Sequence, residues 1–511
     1  MNQSQKKGFV VHGLYLFLGA MLTYSIFSYW GIRAPDSEIM FRSAQGLIHQ
    51  GDFSVEQELA WKEFGIATGI DGKNYSIFGP GQAVVSAGLV FLAEQVVDAG
   101  FFDERPFLIA ESHYFEGGIR DFVNGAEVKN IRGHAVRSLM GWFNILVASL
   151  CVVVFYGLVH SFEGSNTGSL LSSILFAFGT PILAYSGTFF SELLAMLFSM
   201  LAMLLIIKAS SEIGSDRYLK LLVGGLLLGV SILVHITAIL FVPFFIFSIL
   251  LSPKAEFRDS LCLKIKCAGI FASGVFLALV VLGFYNFNRF GSVWETGRTV
   301  EGAMRYGGWT SPLHGIQGLL FSAGKGFFFY CPAIILGLAL WKRFYLKNKV
   351  WALSLMGACL FRLVFIASRS DWSGGLCLGP RYLIVLIPFL LLPVGVYLGE
   401  LRRTGSLKAF IGVGLFSGLC VIQQIYFALG DVFSYWRLSG MQNGVNLFKG
   451  GLIYETWEVS PLLFILSGLR APLLLQWVAC DNWTLFSVLS AIAGLLLFYV
   501  YYKTLKCGSM K

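Results

Sequence analysis

Apolar stretches of membrane-spanning length recur along this chain, near 9–30, 137–160, 168–186, 189–208, 219–234, 237–252, 267–288, 326–341, 350–368, 382–399, 407–429 and 483–502. A helix needs about 20 apolar residues to cross a hydrocarbon core of roughly 30 Å. Inside lipid every backbone polar group must be paired within the protein, so such stretches fold as helices. The sequence therefore predicts an all-α polytopic membrane protein with twelve transmembrane helices. Only 13% of the 511 residues are charged, against roughly 25% in a soluble domain, which excludes a soluble fold.

Two long stretches need dividing. Leu219 to Ser252 would be ~51 Å long as one helix. Basic residues flank both of its ends, so it reads as a hairpin turning near His235-Ile236-Thr237. Gly168 to Lys208 is divided by Gly179, Pro181 and Gly187. The first stretch is too long and too aromatic for a signal-peptide core, and no small-residue cleavage site follows it before Arg33-Ala34-Pro35, so it reads as a retained helix. The net charge of +9 is spread between apolar segments and sets topology; it does not point to nucleic acid. Nine cysteines without CxxC or Cys/His spacing indicate neither a zinc site nor a disulfide framework.

With the N-terminus in the cytoplasm, the short inner connections and the two termini hold half of the chain's 38 Lys and Arg. That bias fixes the orientation and leaves the C-terminus inside as well. Four long segments then lie outside: 31–136, 289–325, 369–381 and 430–482. The first holds 15 of the 29 acidic residues, enough for a folded aqueous element with surface helices. One is expected at Ser37 to His49, started by Asp36 and stopped by Gly51. Another, Gln82 to Val97, is short for a span and reads as interfacial; were it to span, everything downstream would invert. Residues 1–430 form the expected catalytic region and 431–511 a separate C-terminal part suited to acceptor recognition.

The unusual polar and glycine-rich motifs all fall on the outer side. Asp36 and Glu38 sit at the mouth of the first helix, where a carboxylate cannot face lipid. Asp36 reads either as a helix cap or as a general base reaching an acceptor hydroxyl; Glu38 reads equally as a partner in that chemistry or as a favourable first-turn charge. Arg381 follows Gly379-Pro380 at the start of a span, which suits either interfacial snorkelling or a phosphate ligand. Lys73, Arg298, Arg369 and Arg137 are further candidate phosphate partners or ordinary surface and helix-end charges. Glu192 lies about a turn into an apolar span, as a functional acid or a structural partner of an outer arginine. His235 reads as a polar turn residue. Tyr75, in Asp71-Gly72-Lys73-Asn74-Tyr75-Ser76, and Trp372, in Asp371-Trp372-Ser373-Gly374-Gly375, support the same side.

Four stretches resemble the GT-C superfamily of membrane glycosyltransferases, which includes protein O-mannosyltransferases and lipid A aminoarabinose transferases. They are Pro35-Asp36-Ser37-Glu38-Ile39 with Ala44 to Leu47; Asp71 to Ser76 with Gly79-Pro80-Gly81; Tyr285-Asn286-Phe287 with Phe290-Gly291-Ser292 and Phe321 to Gly326; and Trp372 to Gly375 with Gly379-Pro380-Arg381-Tyr382. The resemblance implies a polyprenyl-phosphate-linked sugar donor, inverting transfer of a hexosyl or pentosyl group, Asp36 as base, and Arg381 with Lys73 as donor-phosphate ligands. It implies no cofactor, and the acidic loops leave room for a divalent cation that no spacing demands. Two positions depart from relatives: Gly79 stands where some carry lysine, and His235 where some carry arginine. The expected location is the bacterial inner membrane, with membrane lipids around the spans and a cell-envelope glycan, lipid or protein as acceptor. Rival readings are a flippase or transporter of a lipid-linked sugar, which would show repeated halves, and an O-antigen-type polymerase or ligase, which would place its large outer loop late.

Overall fold

A computed structural model describes residues 3–28, 31–32, 34–55, 65–100, 131–163, 165–252, 260–300, 308–375, 377–430 and 454–464, with 435, 492, 494 and 495 as isolated positions. Among the described residues the regular structure is helical except for one two-stranded hairpin and two isolated β-bridges. Its main elements are α1 (Gln3–Phe27), α2 (Pro35–His49), β1 (Ile66–Thr68), β2 (Asn74–Ser76), α3 (Gly81–Asp98), α4 (Ile131–Glu163), α5 (Asn166–Phe178), α6 (Glu192–Ala209), α7 (Ser215–Val234), α8 (Val242–Leu250), α9 (Leu261–Phe290), α10 (Pro312–Phe321), α11 (Lys349–Ala367), α12 (Ile387–Thr404) and α13 (Leu407–Leu429).

Among the described residues, eight helices are long and apolar enough to cross a membrane. The expected breaks occur for the expected reasons. The 168–186 stretch stops at Phe178 and resumes as Ile182–Tyr185 beyond Pro181. The 219–252 stretch breaks at His235, whose extended backbone (φ −145°, ψ 107°) ends α7. The 326–341 stretch is not one span: Cys331-Pro332 splits it into Phe327–Tyr330 and Ala333–Ala339. The twelfth expected span, 483–502, lies almost wholly outside the described residues, as does most of 431–511.

Lipid-type packing holds the bundle, since apolar surface alone gives helices little reason to associate in a membrane. Helices α7 and α9 cross where Gly225 meets Gly274. A Cβ on Gly225 would run into the Phe271 carbonyl, and one on Gly274 would sit 2.5 Å from the Leu222 oxygen. Polar side chains tie helices across the core as well: Ser231 donates to the Ala195 carbonyl at 2.8 Å, and Gln424 to that of Tyr330 at 2.8 Å.

Several helix ends meet in one polar region. Alternating directions bring together the ends of α7, α9 and α11 and the starts of α2 and α6. The hairpin is clamped over them by Arg289, which donates to the Ser76 carbonyl and to Asn286 Oδ1 at 3.0 Å. Helix α3 begins against α7, because Gly79 and Gly81 let its backbone approach: a Cβ on Gly79 would collide with the Leu233 carbonyl.

Candidate active site

The converging ends enclose a cavity of about 200 Å³, lined among others by Asp36, Glu192, His235, Arg289, Arg298, Arg369 and Arg381. At its centre Arg381 meets both acids. Its Nη1 lies 2.7 Å from Asp36 Oδ2. Its Nε lies 3.2 Å from Glu192 Oε1 without an aligned hydrogen bond, and Glu192 Oε2 is buried with no partner. The guanidinium also covers the Phe190 ring at 4.4 Å. The sequence stretches that carry these groups are far apart, so only the fold shows that the candidate base and the candidate phosphate ligand touch.

Helix α2 begins two residues earlier than expected, at Pro35, with Ala34 as the capping residue and no side-chain cap. Asp36 therefore does not cap the helix; its carboxylate turns to Arg381. Glu192 is the first residue of α6 rather than a turn inside it.

Glu38 faces away from the cavity. It accepts from Arg42 Nε at 2.8 Å and from Arg137 Nε at 2.9 Å, with a further contact from Arg137 Nη2. Burial works against its charge, but Arg137 and Arg42 outweigh it and hold the carboxyl at about 2. Both residues are thereby committed to joining α2 with α4, and Arg137 rests on the Phe41 ring at 4.9 Å. A carboxyl lowered on folding stabilises above its unfolded value, ~4.3, and loses that contribution as pH falls toward 2. Glu38→Gln should cost on the order of 3 kcal/mol at neutral pH. Thermal unfolding in detergent between pH 7 and pH 3 checks this, because the gap between wild type and variant should shrink to about half by pH 3.

Lys73 lies outside the cavity lining, half exposed on the hairpin turn and paired with Asp52 at 2.7 Å. Tyr75 donates to Asp71 at 2.6 Å and stacks edge-on against Phe290, a structural role in the hairpin. Trp372 is buried against Gly318 of α10 and His314. Arg369 is in the cavity wall but held by Asp371 at 2.7 and 2.5 Å. Burial would raise the Asp371 carboxyl, yet Arg369 and then Arg298 keep it low.

Arg298 differs from these. It lines the cavity and makes no hydrogen bond or ion pair among the described residues. Glu295 shapes its loop by accepting from the backbone of Gly297 at 2.7 Å and of Thr299 at 3.3 Å.

Three residues matter more than the sequence suggested. Arg362, fully buried in α11, donates Nε to the Tyr382 carbonyl at 3.0 Å and leaves Nη2 without a partner. A charge inside the 350–368 span was its signal. Arg289 gave no signal beyond its place at a helix end. His235, first read as a turn residue, lines the cavity with Nδ1 held 2.7 Å from Thr237 Oγ1. Burial, and then Arg362, Arg381, Arg369 and Arg298 around it, keep the imidazole neutral. No group of three or more His, Cys, Asp or Glu arranged to hold a metal occurs among the described residues.

Fold and cavity together define a multi-pass helical membrane protein with an arginine-rich site where its helix ends meet. Residues 103–295 match the family described as dolichyl-phosphate-mannose-protein mannosyltransferase, so the chain is glycosyltransferase-like over that segment. The segment is less than half of the chain; it includes Glu192, His235 and Arg289 but neither Asp36 nor Arg381. No curated protein matches in sequence. Among solved structures, the chain is similar to the archaeal oligosaccharyltransferase AglB from Archaeoglobus fulgidus, in complex with an inhibitory peptide and a dolichol-phosphate. Identity is 11% and the TM-score 0.46, over 85% of this chain and 58% of that one, so the chain spans less than two thirds of that enzyme's length. It is also similar to ArnT from Cupriavidus metallidurans, in the apo state (14% identity, TM-score 0.45, 97% of this chain and 77% of that one). The same holds for ArnT bound to undecaprenyl phosphate (14%, 0.44, 93% and 78%).

Proposed function

We propose that the protein is an integral membrane glycosyltransferase, moving a sugar from a polyprenyl-phosphate carrier to a hydroxyl acceptor on the extracytoplasmic face of a bacterial inner membrane. The observation that carries this reading is a carboxylate, Asp36, held by Arg381 beside a cluster of guanidiniums at the ends of membrane helices. A lipid-linked donor presents its phosphate at that depth, and guanidinium matches phosphate oxygens in charge and shape. The family matched at 103–295 is described by a donor of that class.

In this reading Asp36 takes the proton of the acceptor hydroxyl. The acceptor oxygen attacks the anomeric carbon from the face opposite the phosphate. The bond from that carbon to the phosphate oxygen breaks, its electron pair stays on the phosphate, and the configuration inverts. Arg298, with no carboxylate of its own, is the phosphate ligand. Arg381 is a positioning residue that orients Asp36 and Glu192. A cell-envelope glycan, lipid or protein serves as acceptor, and 431–511 is its proposed recognition region.

Purified protein in nanodiscs, supplied with polyprenyl-phosphate sugars and a hydroxyl acceptor, should release polyprenyl phosphate. Movement of the intact donor between leaflets without that release would overturn the reading in favour of a flippase. Arg298→Ala should raise the donor KM about 10- to 100-fold, the loss of one charge-assisted contact. Lys73→Ala should leave turnover within about twofold, since its exposed pair with Asp52 contributes little. Steady-state kinetics on both variants checks the assignment.

A further inference from the structure

The charges lining the cavity are not balanced. Four guanidiniums, of Arg289, Arg298, Arg369 and Arg381, face two carboxylates, of Asp36 and Glu192. Both carboxylates are spent on one cation, Arg381. Behind the lining, Arg362 and Asp371 add one charge of each sign, so the excess among the described residues stays at two positive charges. A departing phosphomonoester carries close to two negative charges at neutral pH. The intact donor is a phosphodiester with only about one negative charge, so part of the excess stays uncompensated while the sugar is bound.

The remaining polar groups are neutral. His235 Nε2 and the hydroxyls of Tyr285 and Thr296 line the cavity and form no hydrogen bond among the described residues. These are donors and acceptors suited to sugar hydroxyls. None can offset a positive charge.

We infer that the transferred sugar is an uncharged, hydroxylated hexose or pentose, and that a sugar bearing an ammonium group is rejected by the cavity's unbalanced guanidiniums. This rests on the transferase reading above and narrows its donor. His235, Tyr285 and Thr296 face the sugar, and Arg298 supplies much of the repulsion.

The test compares two polyprenyl-phosphate donors that differ at one position, a hexose and the same hexose with one hydroxyl replaced by an amine, in nanodiscs at pH 7. The readout is released polyprenyl phosphate. The amine-bearing donor should be used with a kcat/KM lower by roughly tenfold or more. Arg298→Gln should narrow that ratio while lowering turnover of both donors. Equal or better use of the amine-bearing donor would overturn the inference and leave the transferase standing. A ratio unmoved by Arg298→Gln would overturn the charge argument. Release from neither donor would instead overturn the transferase reading itself.

Discussion

Asp36→Asn is expected to lower kcat for sugar transfer by about 10²- to 10⁴-fold, the range for removal of a positioned base, with the donor KM little changed. Asparagine has nearly the same shape and can still offer an oxygen to Arg381 Nη1, now 2.7 Å from Asp36 Oδ2. What it loses is an oxygen able to accept the acceptor's proton. The side chain is 14% exposed, so part of the carboxylate reaches the cavity even while paired. Single-turnover measurements with labelled donor separate the chemical step from product release, and a melting curve in detergent shows whether the variant folds. Near-normal transfer with lowered thermal stability would reduce Asp36 to a structural partner of Arg381. Loss of transfer with a native melting curve is the outcome a base requires.

Much of the architecture was legible because hydropathy reports burial in lipid directly. The breaks at Pro181 and His235 were legible only in part, since proline or a polar residue inside an apolar run signals a break but not which side of it continues; the break at Pro332 was missed, and 326–341 was read as one span. The pairing within α2 was open to reading: Glu38 and Arg42 are one helical turn apart. Its stronger partner was not, because Arg137 lies 99 residues further along the chain. The same holds for the centre of the site. Asp36 and Arg381 were both candidates, on the side that charge counting assigns to the exterior. Nothing local in either sequence indicated that they touch, or that Glu192 shares the same guanidinium. Lys73 and Arg298 looked alike as loop cations, and tertiary structure separates them: one is closed off by Asp52, the other is left facing the cavity. Gly79-Pro80-Gly81 resembled the entry to a surface helix, and α3 does begin there. Its glycines are needed for backbone contact with the end of α7, which in turn sets His235 at the cavity wall.

Replacing Arg381 should have the largest effect on stability. The residue is buried, its guanidinium is the contact shared by Asp36 and Glu192, and each carboxylate is nearly enclosed. Arg381→Met keeps much of the side-chain volume and removes the charge, leaving two neighbouring carboxylates with no cation in contact. Breaking a buried pair from one side costs about 3–5 kcal/mol, because the remaining charge is stranded. Here two are stranded, so the upper part of that range is expected. The variant need not accumulate well enough to study alone, and a cycle with Glu192→Gln addresses that. Removing the Glu192 charge in the Arg381→Met background should recover stability, with a coupling of about 1–3 kcal/mol between the two positions. Unfolding midpoints for wild type, both single variants and the double variant provide the cycle. Additive midpoint changes would mean that the 3.2 Å approach of Arg381 to Glu192 is proximity without energetic consequence, and that Asp36 alone depends on the arginine. Arg381→Lys is the companion measurement. It keeps the charge but has no planar fork with which to reach both acids, so it should restore most of the stability while transfer stays well below wild type, since a base held by one flexible ammonium is no longer fixed toward the acceptor.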